Sequence, residues 1–197
     1  MPNKSLKIQF YIYHMSRKYK VRDQSKLYFI TFTVVHWVDV FTRAEYKDIF
    51  ISSLQYCQVN KGLEVYAYVI MSNHVHLIVG ASGLNKLEEI IRDLKKYTSK
   101  RIIKAIEANL KESRKEWMLS IFEKAGKNNC NNKNFQFWKQ DYHPIEVSNN
   151  KIMDQKLEYI HENPVKAGLV TTAECYLYSS ASNYYGLNGL LEIKFIE

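Results

Sequence analysis

The stretch Tyr68-Val69-Ile70-Met71-Ser72-Asn73-His74-Val75-His76-Leu77-Ile78-Val79-Gly80 decides how the rest of the chain is read. It is rich in β-branched residues, which is strand composition, and Ser72-Asn73 marks a short turn. Two strands follow, over residues 63–71 and 74–79, or one bulged strand. Side chains alternate faces along a strand, so His74 and His76 project from one face and Val75 from the other. Two imidazoles side by side on a rigid strand suit a divalent metal. Taken alone, the pair is a weak signal, and two hydrogen-bonded, half-buried histidines would look the same. Zinc hydrolases of barrel type also carry His-x-His on a strand, but such barrels need roughly 250 residues and further ligands.

Working outward, residues 27–35 are aromatic and β-branched and read as a strand. Thr42 followed by Glu45 has the spacing of a capping box, and Tyr46, Ile49, Phe50, Leu54 and Cys57 continue at helical spacing until Asn60-Lys61-Gly62 stops them. Asn85 is placed to cap a second helix with an apolar face of Leu87, Ile90, Ile91, Leu94, Tyr97, Ile102 and Ile103. Its other face carries Arg92, Lys95, Lys96, Lys100, Arg101 and Lys104, a stripe that suits a phosphate backbone or simply solvent. Residues 109–134 are rich in Lys, Asn and Glu and read as a variable insertion or mobile loop. Residues 135–147 read as an edge strand or ordered loop limited by Pro144. A further helix starts at Asn150 or Asp154, carries Tyr159, and is ended by Asn163-Pro164. Strand–helix–strand–strand–helix, then another helix, predicts an α+β sandwich with helices on one face of an antiparallel sheet. The organisation expected is a basic arm over residues 1–24, one domain over 25–186 and a tail over 187–197.

The 197 residues carry a formal charge of +8 together with 15 tyrosines, 9 phenylalanines and 3 tryptophans. Positive charge neutralises phosphates and aromatic faces stack unpaired bases, so nucleic acid is a natural partner class. No apolar run approaches the roughly 18 residues of a spanning helix, and no membrane partner is expected. Cys57, Cys130 and Cys175 are widely spaced with no CxxC pair, which favours reduced thiols and a cytoplasmic setting.

Tyr159 and Asn163 complement the histidines. Four residues apart on a helix, the phenol and the amide share a face. Asn163 is a candidate third ligand beside His74 and His76. Nitrogen and oxygen donors without a thiolate suit Mg²⁺ or Mn²⁺ once phosphate oxygens complete the shell. The competing reading has Tyr159 packed on the sheet and Asn163 ending the helix.

In these residues the chain resembles the single-tyrosine HUH transposases, and most of all the IS200-like subgroup associated with repetitive extragenic palindromes. The resemblance rests on residues 67–79, on Tyr159-Ile160-His161-Glu162-Asn163-Pro164-Val165-Lys166-Ala167-Gly168-Leu169-Val170, on Phe137-Trp138-Lys139-Gln140-Asp141-Tyr142 and on Tyr176-Leu177-Tyr178-Ser179-Ser180. It covers roughly residues 25–186 apart from 109–134. It implies a ferredoxin-like catalytic domain, His74 and His76 as metal ligands, Tyr159 as nucleophile, and Asn163 where many relatives have glutamine. It implies DNA cleavage through a 5′-phosphotyrosine and rejoining of ends, at single-stranded or hairpin DNA, by a monomer or homodimer. Arg92, Lys95, Lys96 and Lys100 are the expected backbone contacts, with Trp138, Tyr142 and the basic arm as base-stacking groups. Two other classes remain open on the sequence: an inactive single-stranded nucleic-acid binder, and a hydrolase that uses activated water.

Overall fold

Aromatic and β-branched residues build the first strand, β1 (Tyr28–Thr33), and the strands of the histidine stretch are β2 (Leu63–Ile70) and β3 (His74–Ala81). The computed structural model describes residues 21–129, 134–140 and 142–195. Its helices are α1 (Ala44–Lys61), α2 (Leu87–Ala108), α3 (Lys115–Lys127), α4 (Asn150–Lys166) and the short α5 (Ala181–Tyr184), and a two-residue β4 (Ile145–Glu146) completes the sheet. The strand order is β2-β3-β1-β4 with every pairing antiparallel. With α1 joining β1 to β2 and α2 following β3, this is the expected α+β, ferredoxin-like arrangement.

Pleating sorts the two faces. Phe32 pairs with Val75 and Ile30 with Leu77 on one face, while Thr31 pairs with His76 and Thr33 with His74 on the other. α1 and α2 lie on the first face, where Phe50 meets the Phe32 ring at 6.0 Å and the Lys95 ammonium approaches it at 5.6 Å. α4, the additional C-terminal helix that carries Tyr159, crosses the second face. Both faces of β3 are therefore covered, and Val75 to Gly80 are all buried.

Gly62 ends α1 at φ 74°, where its N–H caps the Cys57 carbonyl and a Cβ would strike the Ser82 carbonyl oxygen. The capping box does not form: Arg43 precedes α1 without a side-chain cap, and the Thr42 hydroxyl turns back to the Asp39 carbonyl. Asn85 does not cap α2 either. Its amide donates to the Lys61 carbonyl, and Gln24 supplies the oxygen that accepts from the Leu87 N–H at 2.8 Å. α4 is capped by Asn149, whose side chain accepts from the Ile152 N–H. It runs through Pro164 to Lys166 instead of stopping before the proline.

Residues 109–134 are not simply a loop. α3 lies within them and buries Met118 and Phe122, spaced four apart, with Phe122 against Phe137 at 5.2 Å. Buried Glu112 anchors the approach to α3 by accepting from Arg43 at 2.6 Å and Arg114 at 3.2 Å. Residues 187–195 belong to the fold: Leu191 is buried, and Gln55 and Gln58 of α1 donate to the carbonyls of Leu190 and Glu192. Residues 1–20 of the arm lie outside the described residues. Of its remainder, Val21 is buried and the amides of Arg22 and Asp23 reach the Tyr28 hydroxyl.

Candidate functional site

On the α4 side of the sheet the two imidazoles stand 4.7 Å apart between ring centres. Each has its Nδ1 engaged. His76 Nδ1 meets the Thr31 hydroxyl at 2.8 Å, across the strand pair, and His74 Nδ1 meets the Asn73 side-chain oxygen at 2.6 Å. An amide oxygen only accepts, so Nδ1 of His74 carries the proton and its Nε2 keeps a lone pair. The Asn73 orientation is supported by its NH₂, which donates to the Trp37 carbonyl at 3.3 Å. Burial holds His74 below the usual histidine value. Burial, His74 and the Lys156 ammonium push His76 down to about 3. Both imidazoles are thus neutral near pH 7, the form that ligates metals.

Nε2 of His76 is buried and has no hydrogen-bond partner. A buried nitrogen without a partner costs about 1–3 kcal/mol, and a metal ion is one group that would satisfy it. The donor set fits a divalent cation in chemistry, with two neutral nitrogens and no thiolate. Among the described residues no three of His, Cys, Asp and Glu converge on one point. A full shell would therefore draw on an amide or on substrate oxygens.

Tyr159 reaches this place from α4. Its ring lies edge-on to His76 at 5.0 Å and to Phe29 at 6.0 Å, and the residue is 44% exposed. Ile160 and Pro164 fasten the helix from its buried side. Asn163 is one turn further on, half-buried, and makes no hydrogen bond with either imidazole. Phe29 stacks on His76 at 5.3 Å, and Lys156, one turn before Tyr159, holds its ammonium 4.8 Å from the centre of the Phe29 ring. Thr31, Asn73, Phe29 and Lys156 were not singled out from sequence. Thr31 and Phe29 become neighbours of His76 only through strand register, whereas Asn73 had been read only as part of the turn.

The expected nucleic-acid contacts divide. Trp138 is corrected: it is 5% exposed, packs among Phe32, Phe41, Phe50 and Phe137, and donates Nε1–H to the Thr98 hydroxyl at 3.1 Å. An indole fully enclosed in this way has no face for a base. The Lys95 ammonium donates to the carbonyls of Lys139 and Gln140 and so ties that segment to α2. Arg92, Lys96 and Lys100 are exposed, but on the helix layer across the sheet from the histidines. Tyr142 is half-buried and does line a cavity of about 480 Å³ beside the site, with Phe29, Thr31 and Thr33.

Comparison with known proteins adds a family and a fold. Residues 24–122, half of the chain, match the family described as "Transposase IS200 like". That match includes both histidines and ends before Tyr159. A REP-associated tyrosine transposase solved bound to a REP hairpin superposes with a TM-score of 0.60 at 16% identity, over 90% of this chain and 92% of that one. A protein of Deinococcus radiodurans assigned as a transposase aligns over 70% of this chain and 88% of its own, at 22% identity and a TM-score of 0.42. No curated protein matches the sequence. No helix among the described residues is long and apolar enough to cross a membrane.

Proposed function

Because the chain belongs to the IS200-like transposase family, we propose that it cuts and rejoins single-stranded DNA through Tyr159, with a divalent metal held by His74 and His76. The observation that carries this reading is the meeting of three groups on one sheet face: two imidazoles 4.7 Å apart and a phenol whose ring is 5.0 Å from the nearer one.

In this reading the phenol oxygen attacks the scissile phosphorus and the bond to the 3′ oxygen breaks. The products are a 5′-phosphotyrosine and a free 3′-OH, and the phenolic proton ends on the leaving oxygen by way of solvent or a base. The new ester is a phosphodiester like the old one, so a second 3′-OH can reverse the step without a nucleotide cofactor. A bound Mg²⁺ or Mn²⁺ would polarise the scissile phosphate and neutralise part of its charge. His74 and His76 would hold it through Nε2, with Asn163 as the candidate oxygen ligand. Thr31 and Asn73 fix the imidazoles through Nδ1, as outer-shell partners do in metal sites. Lys156 supplies a cation on the tyrosine's own helix for the negative charge of the substrate.

The hairpin bound in the REP-associated transposase suggests the substrate class here as well: a single strand presented beside a hairpin. The test uses purified protein, Mg²⁺ or Mn²⁺ and labelled hairpin-flanked single strands from the sequence around its own gene. A protease-sensitive DNA adduct, formed by the wild type and absent with Tyr159→Phe, is expected. Nicking that survives Tyr159→Phe without an adduct would transfer the chemistry to activated water. Binding without cleavage by either protein would leave a nucleic-acid binder.

A further inference from the structure

Beside the histidines, and used by no step above, Trp37 is held out of the core in an unusual way. It is 56% exposed although Val34 and Val35 just before it and Val38 just after it are buried. His36 and Trp37 adopt φ of 53° and 59°, two consecutive non-glycine residues in the left-handed region. Left to itself the chain would not choose that backbone. The segment is secured on both sides, by Val34 N–H to the Asn73 carbonyl and by Val35 N–H to the Phe137 carbonyl. The result presents the indole edge-on to His74, 6.1 Å between ring centres, with the Lys139 ammonium 4.3 Å from the centre of the indole ring.

Two cavities meet at this point. One, of about 680 Å³, is lined by His36, Trp37, Gln136 and Asn128. The other, of about 480 Å³, is lined by Phe29, Thr31, Thr33 and Tyr142. Lys139 and Gln140 line both. They form a trough from β4's side of the sheet, past the residues that contact His76, to the exposed indole beside His74.

We propose that this trough seats the single-stranded DNA next to the scissile phosphate, with one unpaired base stacked on Trp37 and a neighbouring phosphate on Lys139. The inference rests on the transesterase reading and deepens it by naming where the strand lies. An exposed indole with an ammonium at its face suits a nucleotide: every base has a π-face, and every phosphate a charge. A duplex offers no unpaired base to the indole, so the trough selects single strands. The Asn73 link from the Trp37 carbonyl to His74 Nδ1 places the stacked base and the metal ligand on one rigid unit.

The experiment measures binding of a fluorescein-labelled thymidine oligonucleotide of about twenty nucleotides to the full chain without metal, so that no cleavage intervenes. Trp37→Ala is expected to weaken binding roughly 5- to 100-fold, the loss of one base stack. Trp37→Phe keeps an aromatic face and should stay within about threefold of wild type. It should also remove the quenching of tryptophan emission by the oligonucleotide, which Trp117→Phe should leave in place. Lys139→Gln should reduce the salt dependence of binding by about 0.7 in slope, one phosphate's share on a single strand. Wild-type affinity in Trp37→Ala, or quenching that persists in Trp37→Phe, would overturn the trough. If Tyr159 forms its adduct while Trp37→Ala binds normally, the trough alone falls. If no adduct forms but Trp37→Ala weakens binding, the nucleophile falls and the trough stands.

Discussion

The ring of Tyr159 meets the ring of His76 edge-on, 5.0 Å between centres and 69° between planes, although 83 positions separate them in the chain. The contact holds the phenol beside the His74–His76 pair while leaving it partly open to solvent. Tyr159→Phe retains the ring and loses only the oxygen. The variant should therefore melt within about 2 °C of wild type, bind hairpin DNA normally and form no covalent adduct. A large drop in melting temperature would instead make the tyrosine a structural residue.

Thr31 is the partner of His76 Nδ1, and its effect should be felt at the metal. Thr31→Val keeps the shape and removes the hydroxyl. Mn²⁺ affinity, followed by the free-ion signal in electron paramagnetic resonance, should fall about 10- to 100-fold. Thr31→Ser restores the hydroxyl and should restore most of the affinity. Unchanged Mn²⁺ binding in Thr31→Val would separate His76 from the ion.

Trp138 fills the space between Phe32, Phe41 and Phe137. Trp138→Ala should cost about 3–5 kcal/mol in denaturant unfolding, whereas the protein that remains folded should bind DNA as before. A DNA-binding defect without lost stability would return the indole to the interface.

Glu112 gives the acid limb of the stability curve a specific component. Burial pushes its carboxyl up, but the bonds from Arg114 and Arg43 outweigh burial and hold it below the usual glutamate value. The unfolded chain then takes up the proton first, so stability falls with falling pH. The contribution is complete above the unfolded value of about 4.3 and is lost as pH drops through the folded one. Unfolding free energies measured from about pH 6 to pH 3 should fall less steeply in Glu112→Gln, which should already be less stable at neutral pH. An identical slope in the two proteins would remove Glu112 from the acid response.

Gly126 should respond against its helix propensity. Alanine at an open helical glycine stabilises by up to about 1 kcal/mol. Here the added Cβ would meet the backbone of Phe135 at 2.5 Å, where no flexible side chain can yield. Gly126→Ala should therefore lower the melting temperature, and a rise would show that α3 and the 134–138 segment can part without penalty.

What was legible from sequence follows the reach of each signal. Alternation and helical spacing are local, so the histidine pair, the two strands around it and the face of α2 could be read directly. The helix that carries Tyr159 was readable too: it starts at Asn150, one of the two expected starts, with Asn149 as its cap. α3 was missed because the apolar run of Trp117, Met118, Leu119, Ile121 and Phe122 is short, and the asparagine- and lysine-rich stretch that follows it dominates the composition of residues 109–134. Trp138 was misplaced because it sits in an irregular segment where no period tells inside from outside. Thr31 and Phe29 join the site through the pairing of β1 with β3, which places residues 45 positions apart side by side. No local pattern carries that information. Trp37 was invisible for a related reason: left-handed backbone at a non-glycine residue has no sequence signature.

The outer edge of β2 is closed by the last segment of the chain: Ile70 N–H donates to the Tyr178 carbonyl, Ser180 N–H to the Tyr68 carbonyl, and Lys194 N–H to the Val65 carbonyl. During synthesis β2 is therefore exposed long before its cover exists, since more than a hundred residues must still be made. A nascent sheet with an unpaired, largely apolar edge is an invitation to pair with a neighbour on the same message. Chains cut short before Tyr176 would carry that vulnerability permanently and should collect as aggregates, whereas chains that continue through Lys194 cover the edge.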